Sequence, residues 1–156
     1  MQFEHLVVVN DPQQPFLQAL TRQQLWAGLQ WRINDPQPFV IGLEGCTILS
    51  REPGRIERQL DFGSFTLFDT VHYVAEEWVR FETAAHGERA GGALHISIEV
   101  PAPDTLALRF VYATTLEDAP GSESAEIAEF IRSAYRQADI DTVHLIRQHM
   151  TGAATQ

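Results

Sequence analysis

Apolar and polar residues alternate along much of the chain, which is the pattern of half-buried β-strands. The alternating segments are bounded by Gly, Pro, Asp or acidic turns. They predict strands at about 2–9, 44–52, 55–62, 65–74, 78–85, 93–100 and 106–115. Strands of this kind in an antiparallel meander have one apolar and one polar face, and the apolar face has to be covered by another element.

A helix is predicted between the first and second strands. Thr21–Gln24 matches a capping box, and the helix that it starts should run to about Asn34. Pro36 and Pro38 then end the helix, because proline has no N–H to donate within it. Phe39–Leu43 predicts a further helical turn, so we expect two short helices after the first strand.

A long helix is predicted from about Ser124 to Met150, where a broad apolar stripe repeats at helical spacing. At 1.5 Å per residue it would be on the order of 40 Å long, enough to cross a small domain. The order strand, helix, strands, helix favours an α+β fold with a curved antiparallel sheet wrapped around this last helix. We expect a single domain over residues 1–156, with 151–156 as a flexible tail.

One hairpin allows its register to be predicted. Gly63-Ser64 fits a two-residue type II′ turn, which sets the partners of the flanking strands. On one face the pairs are Phe62 with Phe65, Leu60 with Leu67, Arg58 with Asp69, and Ile56 with Val71. Three pairs are apolar, and the fourth is an ion pair that faces the long helix. It either fixes the register alone or forms a polar anchor for a ligand in an apolar cavity.

The same apolar face continues into the later strands. Val79 and Phe81 extend it, and four pairs extend it across the Pro101–Thr105 loop. These pairs are Val100 with Leu106, Ile98 with Leu108, Ile96 with Phe110, and Leu94 with Tyr112. The sequence therefore predicts a continuous apolar surface that faces the long helix.

Composition narrows the function mainly by exclusion. The net charge is −10 and the eleven basic residues are all arginine. This balance argues against binding to nucleic acid or to an anionic membrane surface, and the absence of lysine excludes Schiff-base chemistry. No run approaches the ~20 apolar residues of a membrane span and no signal-peptide pattern is present, so we expect a cytoplasmic protein.

Few residues suggest reactive chemistry. The six histidines are spread along the chain, and the two on the long helix, His144 and His149, are five residues apart and do not share a face, so we expect neither a metal site nor a cofactor. Cys46 has no partner for a disulfide and no neighbouring base, so a buried structural role is expected. A role in lining a cavity is a better hypothesis for Tyr112 on the last strand and Tyr135 on the long helix.

The predicted ligand-binding set combines the ion pair with the residues expected to surround a cavity. Two alanines four apart on the long helix leave space there, and two aromatic residues are placed at the entrance. The set comprises Arg58, Asp69, Tyr112, Tyr135, Phe81, Ile96, Phe110, Ala134, Ala138, Trp31 and Phe39.

These features resemble the START-like (SRPBCC) helix-grip superfamily, which includes the birch pollen allergen and polyketide cyclases, and more narrowly its AtaL-like branch. The segments that carry the resemblance are Phe3-Glu4-His5, Asn10-Asp11-Pro12, Leu20–Trp26, Phe39–Leu43, Phe62-Gly63, Asp69–Val71, Val79–Glu82 and Ser133–Val143. The resemblance implies a deep hydrophobic pocket between the sheet and the long helix. Members of the superfamily bind lipids, sterols, polyketides and plant hormones, and some are cyclases, aromatases or chaperone activators.

Three functions are consistent with this reading. We favour a protein that binds a small hydrophobic molecule. The first alternative is an enzyme of the polyketide cyclase or aromatase type, in which Arg58 and Asp69 act with Tyr112 or Tyr135 as acids and bases. The second is a protein-interaction module resembling a chaperone activator. The sequence leaves a homodimer open and gives no catalytic motif that the AtaL-like branch would define.

Overall fold

The computed structural model describes residues 1–85, 91–115 and 123–152. Within these ranges the elements are β1 Gln2–Asn10, α1 Arg22–Asn34, β2 Gly45–Glu52, β3 Arg55–Asp61, β4 Thr66–Val74, β5 Trp78–Thr83, β6 Gly92–Ala102, β7 Thr105–Thr114 and α2 Glu123–Thr151. The strands form one antiparallel sheet in the order β1-β7-β6-β5-β4-β3-β2. The predicted α+β fold, a curved sheet with a long C-terminal helix, is confirmed.

The predicted β3–β4 register is confirmed from the pair Arg55–His72 to the pair Asp61–Thr66, including Arg58 opposite Asp69. Gly63 has a φ of +85°, as the first position of a type II′ turn requires. The N–H of Phe62 donates to the carbonyl of Phe65 at 2.9 Å and closes the hairpin. The register follows from the sequence because a local turn and the period-2 burial pattern both specify it.

The β6–β7 register agrees with the prediction at three pairs and differs at the fourth. Leu94, Ile96 and Ile98 pair as expected, but the pairing of Val100 with Leu106 was wrong. The register shifts between Glu99 and Ala102, where β6 has one more residue than β7. Val100 is 57% exposed there. Pro101 has no N–H to donate to the ladder, which favours an irregularity at this point.

Helix α1 begins at the predicted capping box. The Gln24 N–H donates to the Thr21 hydroxyl at 3.0 Å, and the Thr21 N–H donates to the Gln24 side chain at 2.8 Å. The second short helix predicted at Phe39–Leu43 was wrong, since residues 36–43 form a series of turns. The N–H groups of Phe39 and Val40 both donate to the Pro36 carbonyl. Pro38 lacks an N–H, and Gly42 adopts a φ of +83°, so the helical turn does not continue.

Helix α2 packs closely on α1. A Cβ atom placed on Gly28 of α1 would lie 2.3 Å from Cγ2 of Ile146 on α2, so only glycine allows this approach. Thr151, which was expected in a flexible tail, ends α2, and residues 153–156 of that tail lie outside the described residues. In the described ranges, neither helix is long and apolar enough to cross a membrane.

Candidate functional site

A cleft of about 360 Å³ lies between the inner face of the sheet and the N-terminal half of α2. Its large side chains are Leu67, Phe81, Leu94, Tyr112, Ile131 and Tyr135. The other lining residues are glycine, alanine and threonine. None of the described residues that line the cleft carries a charged side chain, so its wall is apolar with a few hydroxyl groups.

A larger depression of about 520 Å³ lies elsewhere on the sheet. Its lining includes Glu57, Phe68 and Glu82, together with the buried pair Arg58 and Asp69. Glu57, Phe68 and Glu82 alternate with buried positions of their strands and belong to the face of the sheet turned away from α2. Described residues of α2 line the 360 Å³ cleft and not this depression.

The structure places three of the predicted ligand-binding residues, Phe81, Tyr112 and Tyr135, at the cleft. Ile96 and Phe110 are completely buried two residues further along the same inner face, where they pack in the core. The strands thus bring the predicted apolar surface together, but only part of it borders open space.

The two alanines of the predicted set lie outside the cleft. Ala134 is exposed and Ala138 is partly buried, and neither lines the cavity. Tyr135 and Asp139, which are four residues apart, face the sheet instead. Positions i and i+4 share one face of a helix, so the neighbouring face that carries both alanines points away from the sheet.

Trp31 and Phe39 lie near the C-terminal end of α2. The Trp31 ring stacks on His149 with centroids 4.1 Å apart and meets Phe39 edge-on at 4.7 Å. His149 follows Tyr135 by fourteen residues, which corresponds to about 21 Å along a helix. Both aromatic residues, which we had placed at the entrance, therefore belong to the packing between α2 and the region of α1, away from the cleft.

The Arg58–Asp69 pair is buried and fully bonded. Arg58 Nε donates to Asp69 Oδ1 at 2.9 Å, and Nη2 donates to Oδ2 at 2.5 Å. Nη1 donates to the carbonyl of Ile33 at 2.8 Å. This carbonyl lies in the last turn of α1, where carbonyls have no partner within the helix. The pair thus joins β3, β4 and α1, and its geometry favours the structural interpretation over that of a ligand anchor.

A second buried polar cluster is centred on Asp139, which is 1% exposed. Its carboxylate accepts a hydrogen bond from the Tyr112 hydroxyl and lies 3.2 Å from Nδ1 of His5. Burial raises the pKa of Asp139, and the hydrogen bonds from Tyr112 and His5 offset part of that rise. Burial, followed by the Asp139 charge, also raises the pKa of Tyr112.

An aromatic stack connects this cluster to the cleft. The rings of Tyr112 and Tyr135 are nearly parallel, at 6°, with centroids 3.9 Å apart. Burial raises the pKa of Tyr135, which keeps its phenol neutral at the cleft wall. The Asp139 carboxylate therefore positions Tyr112 through a hydrogen bond, and the Tyr112 ring stacks on the ring of Tyr135.

Arg32 of α1 is a third polar group in the interior, one that the sequence analysis missed. Its Nη1 donates to the Thr142 hydroxyl at 2.8 Å, and its guanidinium carbon lies 5.5 Å from the ring centroids of both Phe39 and Phe81. Burial lowers the pKa of Arg32, and Arg58 lowers it further, while Tyr112 and Asp139 act in the opposite direction.

The sequence does contain a signal for Arg32 and Asp139, neither of which is in the predicted ligand-binding set. Arg32 follows Leu25 by seven positions and therefore shares the buried face of α1. Asp139 lies four residues from both Tyr135 and Val143, in the buried stripe of α2. In each case a charged residue interrupts an apolar helical face.

Comparison with known sequences identifies one family. The sequence model of the family described as acetylaranotin biosynthesis cluster protein L, or AtaL, matches residues 7–152. No curated protein matches the chain.

Solved structures of several kinds are similar to this one. The Zhui aromatase/cyclase from Streptomyces sp. R1128 has a TM-score of 0.61 at 13% identity, over 97% of this chain and 93% of that one. Ara h 8.0201 gives 0.60 at 11% identity, over 94% and 97%. The Aha1 dimer from Colwellia psychrerythraea gives 0.57 at 9% identity, over 95% of each chain. Together they confirm the START-like helix-grip fold, and at these identities they show the fold alone.

Proposed function

Since this chain belongs to the AtaL family and has the START-like helix-grip fold, we propose that it binds a small, largely apolar molecule between the sheet and α2. The observation that carries the proposal is the cleft of about 360 Å³ with its apolar wall. Ligand sites in proteins have volumes of about 300–1,000 Å³ and are lined mainly by apolar and aromatic side chains. A lipid fragment or an aromatic metabolite of modest size matches this space.

A cleft-filling variant tests this proposal. Ile131 lines the cleft from α2, whereas the adjacent Phe130 is 76% exposed and points away from it. We expect members of a panel of fatty acids, sterols and aromatic compounds to raise the melting temperature of the wild type and of Phe130→Trp. Ile131→Trp should show no such rise, because the indole occupies the space. A ligand at a hundred times its Kd stabilises the folded state by about 2.7 kcal/mol, which thermal-shift measurements detect.

Two results would contradict binding in the cleft. The first is an equal response of the wild type and both variants, which would place the ligand elsewhere. The second is the absence of any response across the panel, together with native mass spectra that contain only the unliganded chain.

The Tyr112–Asp139 contact favours a second candidate, a cyclase or aromatase reaction on a bound polyketide chain. Tyr112 lines the cleft and donates to a buried carboxylate. Because burial raises the pKa of Tyr112, its phenol keeps its proton near neutral pH and can act as a hydrogen-bond donor at the cleft wall. A positioned acid or base of this kind contributes about 10²–10⁴-fold to a reaction rate. The similarity in fold to an aromatase/cyclase supports this candidate.

A rate measurement separates the two candidates. If the chain is a cyclase, the wild type accelerates the cyclisation of a poly-β-keto thioester, and Tyr112→Phe loses most of that acceleration while still binding a non-reactive aromatic ligand. Tyr73→Phe is the matched control, since Tyr73 packs on Trp26 away from the cleft. No acceleration by the wild type would remove the cyclase candidate and leave the binding proposal in place.

A further inference from the structure

Arg32 and Arg58 approach the same ring but differ in their bonding. The guanidinium carbons lie 5.5 Å and 5.1 Å from the centroid of Phe81, a residue that also lines the cleft. Each of the three side-chain nitrogens of Arg58 has a protein partner. In Arg32 only Nη1 has one, the hydroxyl of Thr142.

The remaining donors of Arg32 are available for a ligand. Its Nε and Nη2 donate to no group among the described residues. Within those residues, every fully buried side-chain nitrogen or oxygen atom has a hydrogen-bond partner. The Nε and Nη2 atoms of Arg32 must therefore border accessible space.

The surroundings of Arg32 place its guanidinium beside Phe81, a residue of the cleft wall. The side chain contacts Phe39 after α1, Phe81 on β5 and Thr142 on α2, so three parts of the chain enclose it. No carboxylate of the described residues forms an ion pair with it, although Asp139 is near enough to raise its pKa. A cation that is partly withdrawn from solvent without a paired anion is costly, and an anion that reaches it relieves the cost.

We infer that Arg32, which lies beside Phe81 and outside the cleft lining itself, is the polar anchor for a ligand held in the cleft and binds the carboxylate of an otherwise apolar molecule. This inference rests on the proposed binding function and adds the chemical class of the ligand. The apolar body of the ligand contacts Phe81, Leu94 and Tyr135, and its carboxylate extends past Phe81 to the guanidinium. A guanidinium matches a carboxylate with two parallel N–H donors, and such charge-assisted bonds are about twice as strong as neutral ones.

A matched pair of probes tests the anchor. 2-Naphthoate and 2-acetylnaphthalene have almost the same shape, but only the first is an anion. We expect isothermal titration calorimetry to show that the wild type binds the naphthoate about 10- to 100-fold more tightly, as hydrogen bonds to charged groups imply. Arg32→Met should abolish or reverse this preference while it keeps its affinity for the ketone. Arg22→Met, at an exposed position of the same helix, should behave as the wild type does.

Each other outcome has a distinct meaning. A wild type that binds the ketone as tightly as the naphthoate, or a naphthoate preference that persists in Arg32→Met, would overturn the anchor and leave the cleft as a binding site. Binding of neither probe would count against the proposed function itself. If Arg32→Met does not fold, Arg32→Gln provides the test, because it keeps a polar side chain and loses both the charge and the two-donor geometry. An unchanged preference for the naphthoate in Arg32→Gln would then overturn the inference.

Discussion

Arg58 and Asp69 show how little the charge of a residue says about its role. A charged pair on the inner face of a sheet suggests a ligand anchor, yet all the donor atoms of Arg58 are used within the protein. Arg32 on α1 carries the same guanidinium group, but among the described residues only its Nη1 has a hydrogen-bond partner. The difference lies in their neighbours, since Arg58 has a carboxylate directly opposite it and Arg32 has none.

The stability of the buried pair can be tested by comparing single and joint substitution. We expect Asp69→Ala to lower the free energy of unfolding by about 3–5 kcal/mol, because it leaves the Arg58 cation buried without an anion. The joint variant Arg58→Met/Asp69→Leu should lose less. The joint variant should still lose about 0.5–1.5 kcal/mol of unfolding free energy, because the Ile33 carbonyl at the end of α1 loses its hydrogen-bond donor. Urea unfolding measures both, and equal losses would argue against direct pairing.

Asp139 should make stability depend on pH in a direction unusual for a carboxylate. Burial raises its pKa in the folded protein above the ordinary value of 3.8, so the folded state holds the proton more tightly than the unfolded state does. Its contribution to stability is therefore complete below pH 3.8 and is lost as the pH rises through the raised pKa.

Asp139→Asn removes this titration and leaves His5 and Tyr112 in place. The free energy of unfolding of the wild type minus that of Asp139→Asn should fall as the pH rises from about 4 and then become constant. Urea unfolding at a series of pH values gives this difference. A difference that increases with pH would show that the hydrogen bonds to the carboxylate outweigh its burial.

At the scale of elements, the contact between α1 and α2 determines how the long helix lies on the sheet. Gly28 lets the two helices approach until Cγ2 of Ile146 lies 2.3 Å from the place where a Cβ atom would be. The same arrangement brings Arg32 to Thr142, and Asp139 to Tyr112. The close approach of the helices thus brings these two polar contacts next to the cleft.

Gly28→Ala tests this contact. An alanine favours an isolated helix by about 1 kcal/mol, but its Cβ would overlap Cγ2 of Ile146, and overpacking typically costs about 1–3 kcal/mol. We expect a net loss of stability in thermal or urea unfolding.

A double-mutant cycle and a glycine control make the test specific. Ile146→Ala removes the overlapping atoms, so Gly28→Ala should cost less in that background than in the wild type. Gly45→Ala should change stability little, because a Cβ atom there meets nothing within 4 Å. Equal costs of Gly28→Ala in both backgrounds would contradict a direct clash.

At the scale of the whole molecule, the two halves of α2 have different roles. The C-terminal half packs in the core through Val143 and Ile146. The N-terminal half borders the cleft and carries the exposed apolar residues Ile127 and Phe130. An element that borders open space has fewer stabilising contacts, so it should be the part that responds most to a ligand.

Hydrogen exchange detects this division. In the presence of a ligand that raises the melting temperature, amides near Ile131 and Tyr135 should gain more protection than those near Val143 and Ile146. Mass spectrometry of peptides from the two halves of α2 provides the comparison. Equal gains along α2 would indicate general stabilisation rather than occupation of the cleft.

The local features of this protein follow from its amino-acid sequence alone. Strand positions, the Gly63-Ser64 hairpin with its register, and the start of α1 at Thr21 depend on alternation and turn chemistry within a few residues. Local rules reached their limit at Val100, where an extra residue in β6 shifted the pairing. They also failed after α1, where Phe39–Leu43 was predicted to form a helical turn but residues 36–43 form a series of turns.

The partners of the buried polar groups depend on how the distant parts of the chain pack together. The contacts of Arg32 with Thr142, Tyr112 with Asp139, and His5 with Asp139 join residues 110, 27 and 134 positions apart. Periodicity shows that these residues face inward, but not which of them meet, because the meeting depends on how the two helices lie across the sheet. For this reason the cleft was predictable from the sequence as an apolar surface, while its candidate anchor became visible only in three dimensions.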